Sequence, residues 1–440
     1  IMPSPVGSEM CISDRRSHLC IRDSRAVGGP LSSPPMSSPP DRLRRGTPAY
    51  RRATRVLFVA GLTTFAAMYG TQALLPELSD AFGVSPAGAA LSVSVTTGAI
   101  AVSIIPLAVA SERIGRTRMM IGASVLFTVV GLLLPLSPGL GWLLVGRGVQ
   151  GVALAGVPAV AMAYLAEEVE PAALGEAMGR YVAGTTLGGL LGRVLPAVML
   201  EAPLADDVQW RAALASVGVL SAVLTAYFVA RLPASRNFVA KDVSVRATVA
   251  HLGGHLRDPR LLPLFGCAFV LMGGFVSAYN YLGYRLLGGP FNLSEAVVGL
   301  VFLLYLAGTV SSAVAGRWAD RFGRGAIMAA VIVAAAVGLA LTVVDNLVLV
   351  VIGMGIYTAG FFGAHSVASG WVGVVATSHR AEASSLYLFA YYLGSSVLGA
   401  VSGIAYASAG WGGVLIFVGV GLVLALGLVG MLVRQPKASS

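Results

Sequence analysis

Apolar residues along this chain come in long runs that are separated by short polar or charged stretches. After the first 54 residues, each run is close to the roughly 20 residues that an α-helix needs to cross a lipid bilayer. The runs predict about twelve membrane-spanning helices, six in each half of the chain. They are placed at about 55–78, 87–109, 119–137, 141–165, 177–200, 210–232, 260–287, 295–318, 325–344, 346–371, 381–405 and 411–433. The pattern therefore predicts an all-α membrane protein.

Three polar stretches flank or interrupt these runs. Residues 1–54 are rich in Ser, Pro and Arg and offer little to bury, so they are predicted to form a disordered tail. No apolar segment typical of a secretory signal precedes the first run. Residues 233–259 are predicted to be a polar linker with a surface helix, and residues 435–440 a short tail. The expected domains are two six-helix units, 55–232 and 260–434.

The composition excludes several classes of protein. With 56% hydrophobic and 11% charged residues and a mean hydropathy of +0.80, the chain is not an ordinary soluble globule. The formal net charge of +10 does not indicate nucleic-acid binding, because Lys and Arg are spread through the tail and the short loops instead of forming one stripe. Cys11, Cys20 and Cys267 have no CxxC spacing, so no metal site, disulfide or cofactor is predicted. The lipid bilayer is the predicted surrounding partner.

Two charged hairpins with similar sequences separate apolar runs in the two halves. The stretch from Gly316 to Arg324 has an earlier counterpart from Ser111 to Arg118, at a constant offset, since 320 − 112 and 324 − 116 both equal 208. The shared positions are Glu112, Arg113, Gly115 and Arg116 in the first copy and Asp320, Arg321, Gly323 and Arg324 in the second. Each hairpin is too charged to enter lipid, and its acid can pair with an arginine, so both are predicted to lie at the membrane surface.

The second hairpin resembles the signature loop G-x-x-x-D-R-x-G-R of the major facilitator superfamily of transporters. In that family the loop joins the second helix to the third and recurs between the eighth and ninth. The second copy matches fully from Gly316 onward, whereas the first has Ala108 for the opening glycine and Glu112 for the aspartate. The resemblance implies two six-helix bundles around a central cavity that opens alternately to each side, with both hairpins as gates.

Two further motifs place arginines inside predicted spans. Arg147 opens a run in the fourth span that resembles the R-x-x-Q-G signature of the same superfamily. The fifth span resembles the antiporter signature G-x-x-x-G-P-x-x-G-G, but Gly189 replaces its proline and Arg193 its last glycine, which weakens the antiporter inference. Arginine within a span usually faces a cavity or a partner. Both are therefore predicted to bind substrate; the alternative for Arg147 is that it braces neighbouring backbone.

Three spans carry stripes of aromatic and polar residues on one helix face. The stripes are Phe65, Tyr69 and Gln72 in the first span, Ser277, Tyr281 and Tyr284 beside Asn280 and Arg285 in the seventh, and Tyr357, Phe361 and His365 in the tenth. In the superfamily the first, fourth, seventh and tenth helices line the cavity, so the resemblance implies that these stripes bind the small-molecule substrate. The alternative is that they pack against neighbouring helices or face lipid.

Proton coupling needs a group that changes its protonation state within the membrane. No carboxylate lies clearly in the middle of a span, and Gln72 stands where related drug:proton antiporters often have one. His365 is a mid-span residue, and imidazole has an unperturbed pKa near neutrality. It is the predicted proton carrier, with Glu167 and Glu168 as rivals that are better suited to a salt-bridged gate.

The distribution of arginines predicts the orientation of the chain. The loops at 111–118, 233–258 and 317–324 are basic, whereas those at 79–86 and 288–294 contain no Lys or Arg. The positive-inside bias then places the basic loops and both termini in the cytoplasm.

The runs at 151–165 and 387–394 are similar to those of the YnfM-type efflux permeases in the drug-antiporter branch of the superfamily. This resemblance implies a multi-pass transporter of a bacterial inner membrane that exports a small solute or drug in exchange for protons, and a monomer is expected. Uptake by the same fold is the alternative. A third hypothesis, a membrane enzyme or channel, is not supported by any H-E-x-x-H or G-x-S-x-G motif or by a carboxylate pair in a span, so no enzyme is predicted.

Overall fold

The computed structural model describes residues 42–240 and 244–434, without the side chains of 206, 207 and 245. Residues 1–41 of the predicted tail at 1–54, with Cys11 and Cys20, and the predicted tail at 435–440 lie outside the described residues. Within the described ranges the chain is almost entirely helical.

Eleven helical stretches in the described residues are long and apolar enough to cross a membrane. They are Pro48–Phe82, Pro86–Ile114, Arg116–Leu136, Leu140–Glu168, Pro171–Met199, Val208–Arg231, Leu262–Leu287, Glu295–Phe322, Arg324–Leu341, Leu347–Val375 and Arg380–Arg434. The last has 55 residues and leaves helical geometry at Ala409 (φ −146°, ψ 21°) and Gly410 (φ 56°, ψ −140°), so it comprises two spans. The described residues thus contain six spans in a first half and six in a second, as predicted, although the predicted loop at 406–410 is only a two-residue break.

The first span begins earlier than the apolar run indicates. Its helix starts at Pro48, whereas the predicted tail extends to residue 54. The backbone N–H of Tyr50 donates to Oγ1 of Thr47 (3.2 Å), which caps the helix, and proline is well suited to the first helical position. The Tyr50 side chain is buried against the first half of the bundle, so these polar residues fold with the span instead of remaining in the tail.

Each charged hairpin is a helix-to-helix turn at a single glycine. Gly115 separates the second and third spans with φ 102°, and Gly323 separates the eighth and ninth with φ 95°. Positive φ at this position favours glycine, because a Cβ atom would be strained there. The repeated sequence therefore gives the same backbone turn in both halves.

The two ends of the helical bundle differ in how the halves meet. We call the end that carries both hairpins the hairpin face and the opposite end the far face. Near the far face one buried apolar core joins the halves, from Leu75 and Ala90 in the first to Tyr281 in the second. Toward the hairpin face the first half has a largely separate core around Leu57 and Tyr164. The halves are therefore sealed together at the far face.

The linker contains the predicted surface helix, at Val245–His255. Oγ of Ser244 caps this helix by accepting a hydrogen bond from the backbone N–H of Ala247 (3.3 Å). The helix lies on the hairpin face, where Leu252 lines a groove with residues of the second and eleventh spans. The linker thus approaches both halves.

Candidate functional site

Arg147 in the fourth span is buried and bonded to the protein itself. Its Nη1 donates to the carbonyl oxygen of Ala67 (2.9 Å), its Nη2 to that of Met68, and its Nε to that of Ser92 (3.2 Å). Nη1 also donates to Oε1 of Gln150. Because the last carbonyl groups of a helix lack helical partners, the bonds to Ala67 and Met68 stabilise the backbone where the first helix ends, and the bond to Ser92 joins it to the second span. The geometry favours the bracing role of Arg147 over the predicted role in substrate binding.

Arg193 in the fifth span faces the boundary between the halves. Its Nε donates to Oε1 of Gln72 (2.7 Å), and its Nη1 donates to the carbonyl oxygen of Gly189. The guanidinium carbon lies 3.8 Å from the ring centroid of Tyr69 in the first half and 4.6 Å from that of Tyr305 in the second. No ion pair to a carboxylate is found for Arg193 among the described side chains. Its charge is thus balanced by amide dipoles and aromatic faces.

A chain of polar side chains continues from Arg193 into the second half. Nε2 of Gln72 donates to Oδ1 of Asn280 in the seventh span (2.8 Å). Nδ2 of Asn280 and the hydroxyl of Tyr305 are buried and have no hydrogen-bond partner within the described residues. Buried donors are normally satisfied, and a substrate or an ordered water molecule could accept these hydrogen bonds.

On the far-face side of these polar side chains, tyrosines of the seventh span close the boundary between the halves. The hydroxyl of Tyr284 donates to the carbonyl oxygen of Leu75 (2.7 Å) and lies 2.6 Å from Oγ of Ser79. Tyr281 stacks on Tyr406 of the eleventh span, with ring centroids 4.6 Å apart. The predicted site residues Tyr281 and Tyr284 therefore lie in the seal at the far face.

Aromatic rings of the second half form a wall on the hairpin-face side of Arg193. Phe361 of the tenth span stacks on Phe275 of the seventh, with ring centroids 3.9 Å apart and planes within 11°. Tyr357 lies 6.0 Å from the same Phe275 ring, and the hydroxyl of Tyr279 bonds to that of Thr358 (2.7 Å). Two of the predicted residues, Tyr357 and Phe361, thus belong to this wall.

His365 lies one helical turn from Phe361 on the hairpin-face side of the wall. Its Nδ1 is 2.9 Å from the hydroxyl of Tyr387 in the eleventh span. Its ring centroid is 4.7 Å from that of Tyr391 and 6.2 Å from that of Phe361. The imidazole is therefore held among aromatic rings, with one nitrogen bonded to a hydroxyl group.

Several site residues were not identified from the sequence. They are Phe275, Tyr279, Phe302, Tyr305, Tyr387 and Tyr391. Phe275 and Tyr279 share a helix face by their spacing of four, so the seventh span carries two stripes, and only one was selected. The eighth and eleventh spans were not expected at the cavity, so their aromatic residues gave no comparable signal.

The first hairpin is held by a buried network of charges. Nη2 of Arg116 lies 2.5 Å from Oε1 of Glu112 and 2.8 Å from Oε1 of Glu167 at the end of the fourth span. Nη1 donates to Oγ of Ser111 (2.6 Å), and the guanidinium lies 5.7 Å from the ring centroid of Phe238 in the linker. The expected pairing of acid and arginine is present, and its partners all lie in the first half or the linker.

The second hairpin has the corresponding pair at the surface. Nη2 of Arg324 lies 3.2 Å from Oδ1 of Asp320, and the Arg321 guanidinium lies over the ring of Phe322. Gly316 lies one helical turn before this pair in the eighth span. Arg113 of the first hairpin is also exposed, at the end of the second span.

One carboxylate joins the two halves at the far face. Oε1 of Glu201, after the fifth span, accepts a hydrogen bond from the backbone N–H of Ala296 at the start of the eighth (3.0 Å). This bond, together with a hydrogen bond from the hydroxyl of Ser294, lowers the pKa of Glu201 below its ordinary value. The contact strengthens the seal near its solvent-exposed end.

Comparisons with known proteins agree on one family. The sequence profile of the Major Facilitator Superfamily matches residues 57–286 and 264–440. The uncharacterized MFS-type transporter YybF of Bacillus subtilis is 40% identical over 395 residues, covering 90% of this chain and 96% of the relative. The inner membrane transport protein YnfM of Escherichia coli is 40% identical over 391 residues, covering 89% and 93%.

Solved structures show the same fold at low sequence identity. The inward-open xylose transporter XylE from E. coli has a TM-score of 0.71 at 17% identity, covering 89% of this chain and 98% of that one. A bacterial homologue of the lysosomal transporter Spinster, inward-facing and occupied, has a TM-score of 0.71 at 14% identity, covering 88% and 97%.

Proposed function

Because this chain belongs to the major facilitator superfamily, we propose that it is a secondary active transporter that exports a small solute from the cytoplasm between its two halves. The hairpin face is assigned to the cytoplasm, both termini lie there, and the membrane is the inner membrane of a bacterium. The positive-inside bias supports this orientation, as does the name of the relative YnfM. The sealed far face fits a state that is closed to the outside.

The substrate class follows from the charge of the candidate site. Arg193 is buried at the boundary between the halves without a carboxylate partner among the described residues, and this is the observation that carries the proposal. The nearby Nδ2 of Asn280 and the hydroxyl of Tyr305 have no acceptor in the part of the chain that the structure describes. A cation and free donors would bind an acidic group, and the aromatic wall would hold an apolar body. The proposed substrate is therefore an amphipathic organic anion or zwitterion.

A ligand screen on the purified protein tests this substrate class. Organic anions, zwitterions and lipophilic cations are compared for their effect on the melting temperature, because a ligand of the native state raises it. Arg193→Gln should remove the shift caused by anions, and Val182→Leu, at an exposed position of the same span, serves as the control. Binding by cations alone, or unchanged anion binding in Arg193→Gln, contradicts the proposed class.

His365 is the proposed proton carrier. It lies mid-span on the cavity side of the tenth helix and bonds to Tyr387, so a change in its protonation would change a contact between the tenth and eleventh spans. Glu167 is already paired with Arg116, so it is less suited to carry a proton. Exchange of the proton for substrate then gives antiport.

Flux in sealed vesicles tests both coupling and direction. His365→Gln should abolish the response of transport to a pH gradient while substrate exchange across the membrane continues. Tyr387→Phe keeps the imidazole but loses its contact with the Tyr387 hydroxyl, so it should weaken the response without abolishing it. If His365→Gln still concentrates substrate at the wild-type rate, the proton is carried elsewhere. Movement of the substrate in the same direction as the protons would favour uptake over export.

A further inference from the structure

Three of the five histidines in the chain lie together on the hairpin face. His251 and His255 belong to the linker helix, and His379 lies in the turn between the tenth and eleventh spans. The ring of His255 bonds to the carbonyl oxygen of His379 (3.2 Å), which docks the linker helix on this turn. Glu382 lies in the first turn of the eleventh span, beside His251 and His379.

The distances among three of these side chains suit metal coordination. Oε1 of Glu382 lies 3.5 Å from Nδ1 of His251 and 3.7 Å from Nδ1 of His379, and the potential ligand atoms of the group all lie within 4.8 Å of one another. Zinc binds imidazole nitrogen and carboxylate oxygen at about 2.0–2.2 Å, so tetrahedral ligands lie about 3.4 Å apart. The observed separations are close to this value.

We propose that His251, His379 and Glu382 bind a divalent transition-metal ion of the zinc type, with water in the remaining position. The chemistry is that of two imidazoles and one carboxylate, a ligand set that zinc accepts. The imidazole rings lie 3.5 Å apart with planes within 22°, so binding turns one of them about its soft χ2 torsion.

Two features support a ligand at this cluster. Nδ1 of His251 is buried and has no hydrogen-bond partner within the described residues, which is unusual for a buried nitrogen. His379 adopts a left-handed backbone conformation (φ 46°), which is uncommon for residues other than glycine, although asparagine, aspartate and histidine adopt it more often than most. The turn therefore holds its imidazole beside Glu382 at some cost in backbone energy.

A bound metal would join the linker helix to the second half. The same helix reaches the first half, because Leu252 lines a groove of about 220 Å³ with Val109 of the second span and Ser385 of the eleventh. If the chain is a carrier, as proposed above, its halves must move relative to each other at this face. Metal binding is then expected to slow transport by restraining the linker.

Metal titration of the full-length protein in detergent tests the site itself. Cys11 and Cys20 are first alkylated, because thiolates also bind zinc. Cobalt is expected to give the visible absorption of a tetrahedral site, and zinc should displace it. His251→Gln, His379→Asn and Glu382→Gln should each weaken binding by about tenfold or more. Asparagine is chosen at 379 because it tolerates positive φ.

Matched variants distinguish metal binding at this cluster from metal binding elsewhere on the protein. His18→Gln removes a histidine that is not one of the three proposed ligands and should bind as the wild type does, and magnesium should not compete, because it prefers oxygen ligands. Glu382→Asp keeps a carboxylate and should bind with intermediate affinity, which covers the case in which Glu382→Gln does not fold. Unchanged affinity in all three cluster variants, or an equal loss in His18→Gln, overturns the site.

A flux measurement then tests the effect on movement. Zinc should slow transport by the wild type and leave His251→Gln unaffected. If zinc binds the cluster without changing flux, the restraint of the linker is refuted while the metal site stands. If no flux is found for any substrate, the proposed transport function fails, and the titration still decides the metal site.

Discussion

The two charged hairpins show that one sequence plan can give the same backbone and different energetics. Both turn at a glycine with positive φ, Gly115 at 102° and Gly323 at 95°, and both pair an acid with an arginine four residues later. The Arg116 side chain is only 5% exposed, whereas Arg324 is 29% and Asp320 71% exposed. The repeated motif thus fixes the turn but not the environment of its charges.

The difference comes from segments outside the motif. In the first hairpin Glu167 of the fourth span adds a second carboxylate to Arg116, and Phe238 of the linker covers the guanidinium. In the second hairpin the structure shows no third charged partner for Asp320 and Arg324 among the described residues. The linker follows the first half directly in sequence, so its Phe238 can cover the first hairpin. We infer that the first hairpin contributes mainly to stability and the second mainly to gating.

The largest difference between the hairpins is expected when each arginine is neutralised. Arg116→Gln leaves Glu112 and Glu167 close together without a cation and should destabilise the protein by roughly 2–4 kcal/mol. Arg324→Gln breaks an exposed pair and should cost less than about 1 kcal/mol. The unfolding free energy of both variants in detergent micelles is the measurement.

A double variant controls the interpretation of this experiment. Arg116→Gln combined with Glu167→Gln removes one of the two facing carboxylates and should recover part of the lost stability. Equal losses of unfolding free energy for Arg116→Gln and Arg324→Gln would show that burial does not increase the contribution of the first network to stability.

The two turns should respond alike to loss of their glycines, in contrast to their charges. Gly115→Ala and Gly323→Ala each place a Cβ atom at a positive φ and should destabilise the protein by roughly 1–3 kcal/mol. Among the described residues, nothing lies within 4 Å of the position of that Cβ at Gly323, and only the Phe238 ring does at Gly115. Thermal unfolding of both variants checks this, and a difference of several kcal/mol between them would mean that neighbours, not backbone strain, decide the cost.

Hydrophobic patterning predicted the fold because each membrane-spanning helix must be long enough and apolar enough to cross the bilayer by itself. It placed the spans and the two hairpins, since both depend on local sequence. It missed the helical start at Pro48 and made the break at Ala409 and Gly410 too long, because capping by Thr47 and a single left-handed glycine leave little signal in hydropathy. Contacts such as Arg116 with Glu167 depend on packing between distant spans and could not be predicted.

The candidate site was predicted only in part for the same reason. Arginine within a span indicates a special environment, and Arg147 and Arg193 are indeed both buried. The sequence did not show that Arg147 bonds to backbone carbonyls whereas Arg193 reaches Gln72 and two tyrosines. Aromatic residues in an apolar span have no pattern that identifies the face toward the other half, so Tyr305 was missed.

Removal of the exposed acid should affect gating more than stability. Asp320→Asn keeps the size of the side chain but loses the pair with Arg324, so the free energy of unfolding should change by less than about 1 kcal/mol. Transport should nevertheless fall by about tenfold, equivalent to about 1.4 kcal/mol in barrier height. Vesicle flux at matched protein levels is the measurement. Full activity of Asp320→Asn would exclude a gating role for the second hairpin.

The smallest expected effect concerns salt. The Debye length falls from about 8 Å at 0.15 M to about 3 Å at 1 M salt, so an exposed pair is screened while a buried one is not. The stability cost of Arg324→Gln should therefore shrink by a few tenths of a kcal/mol at high salt, within the range of about 0–1 kcal/mol for exposed pairs. The cost of Arg116→Gln should stay constant, because solvent ions do not reach a side chain that is 5% exposed. If both costs fell equally, the first hairpin would have to open to solvent, and its charges would then belong to the gate as much as those of the second.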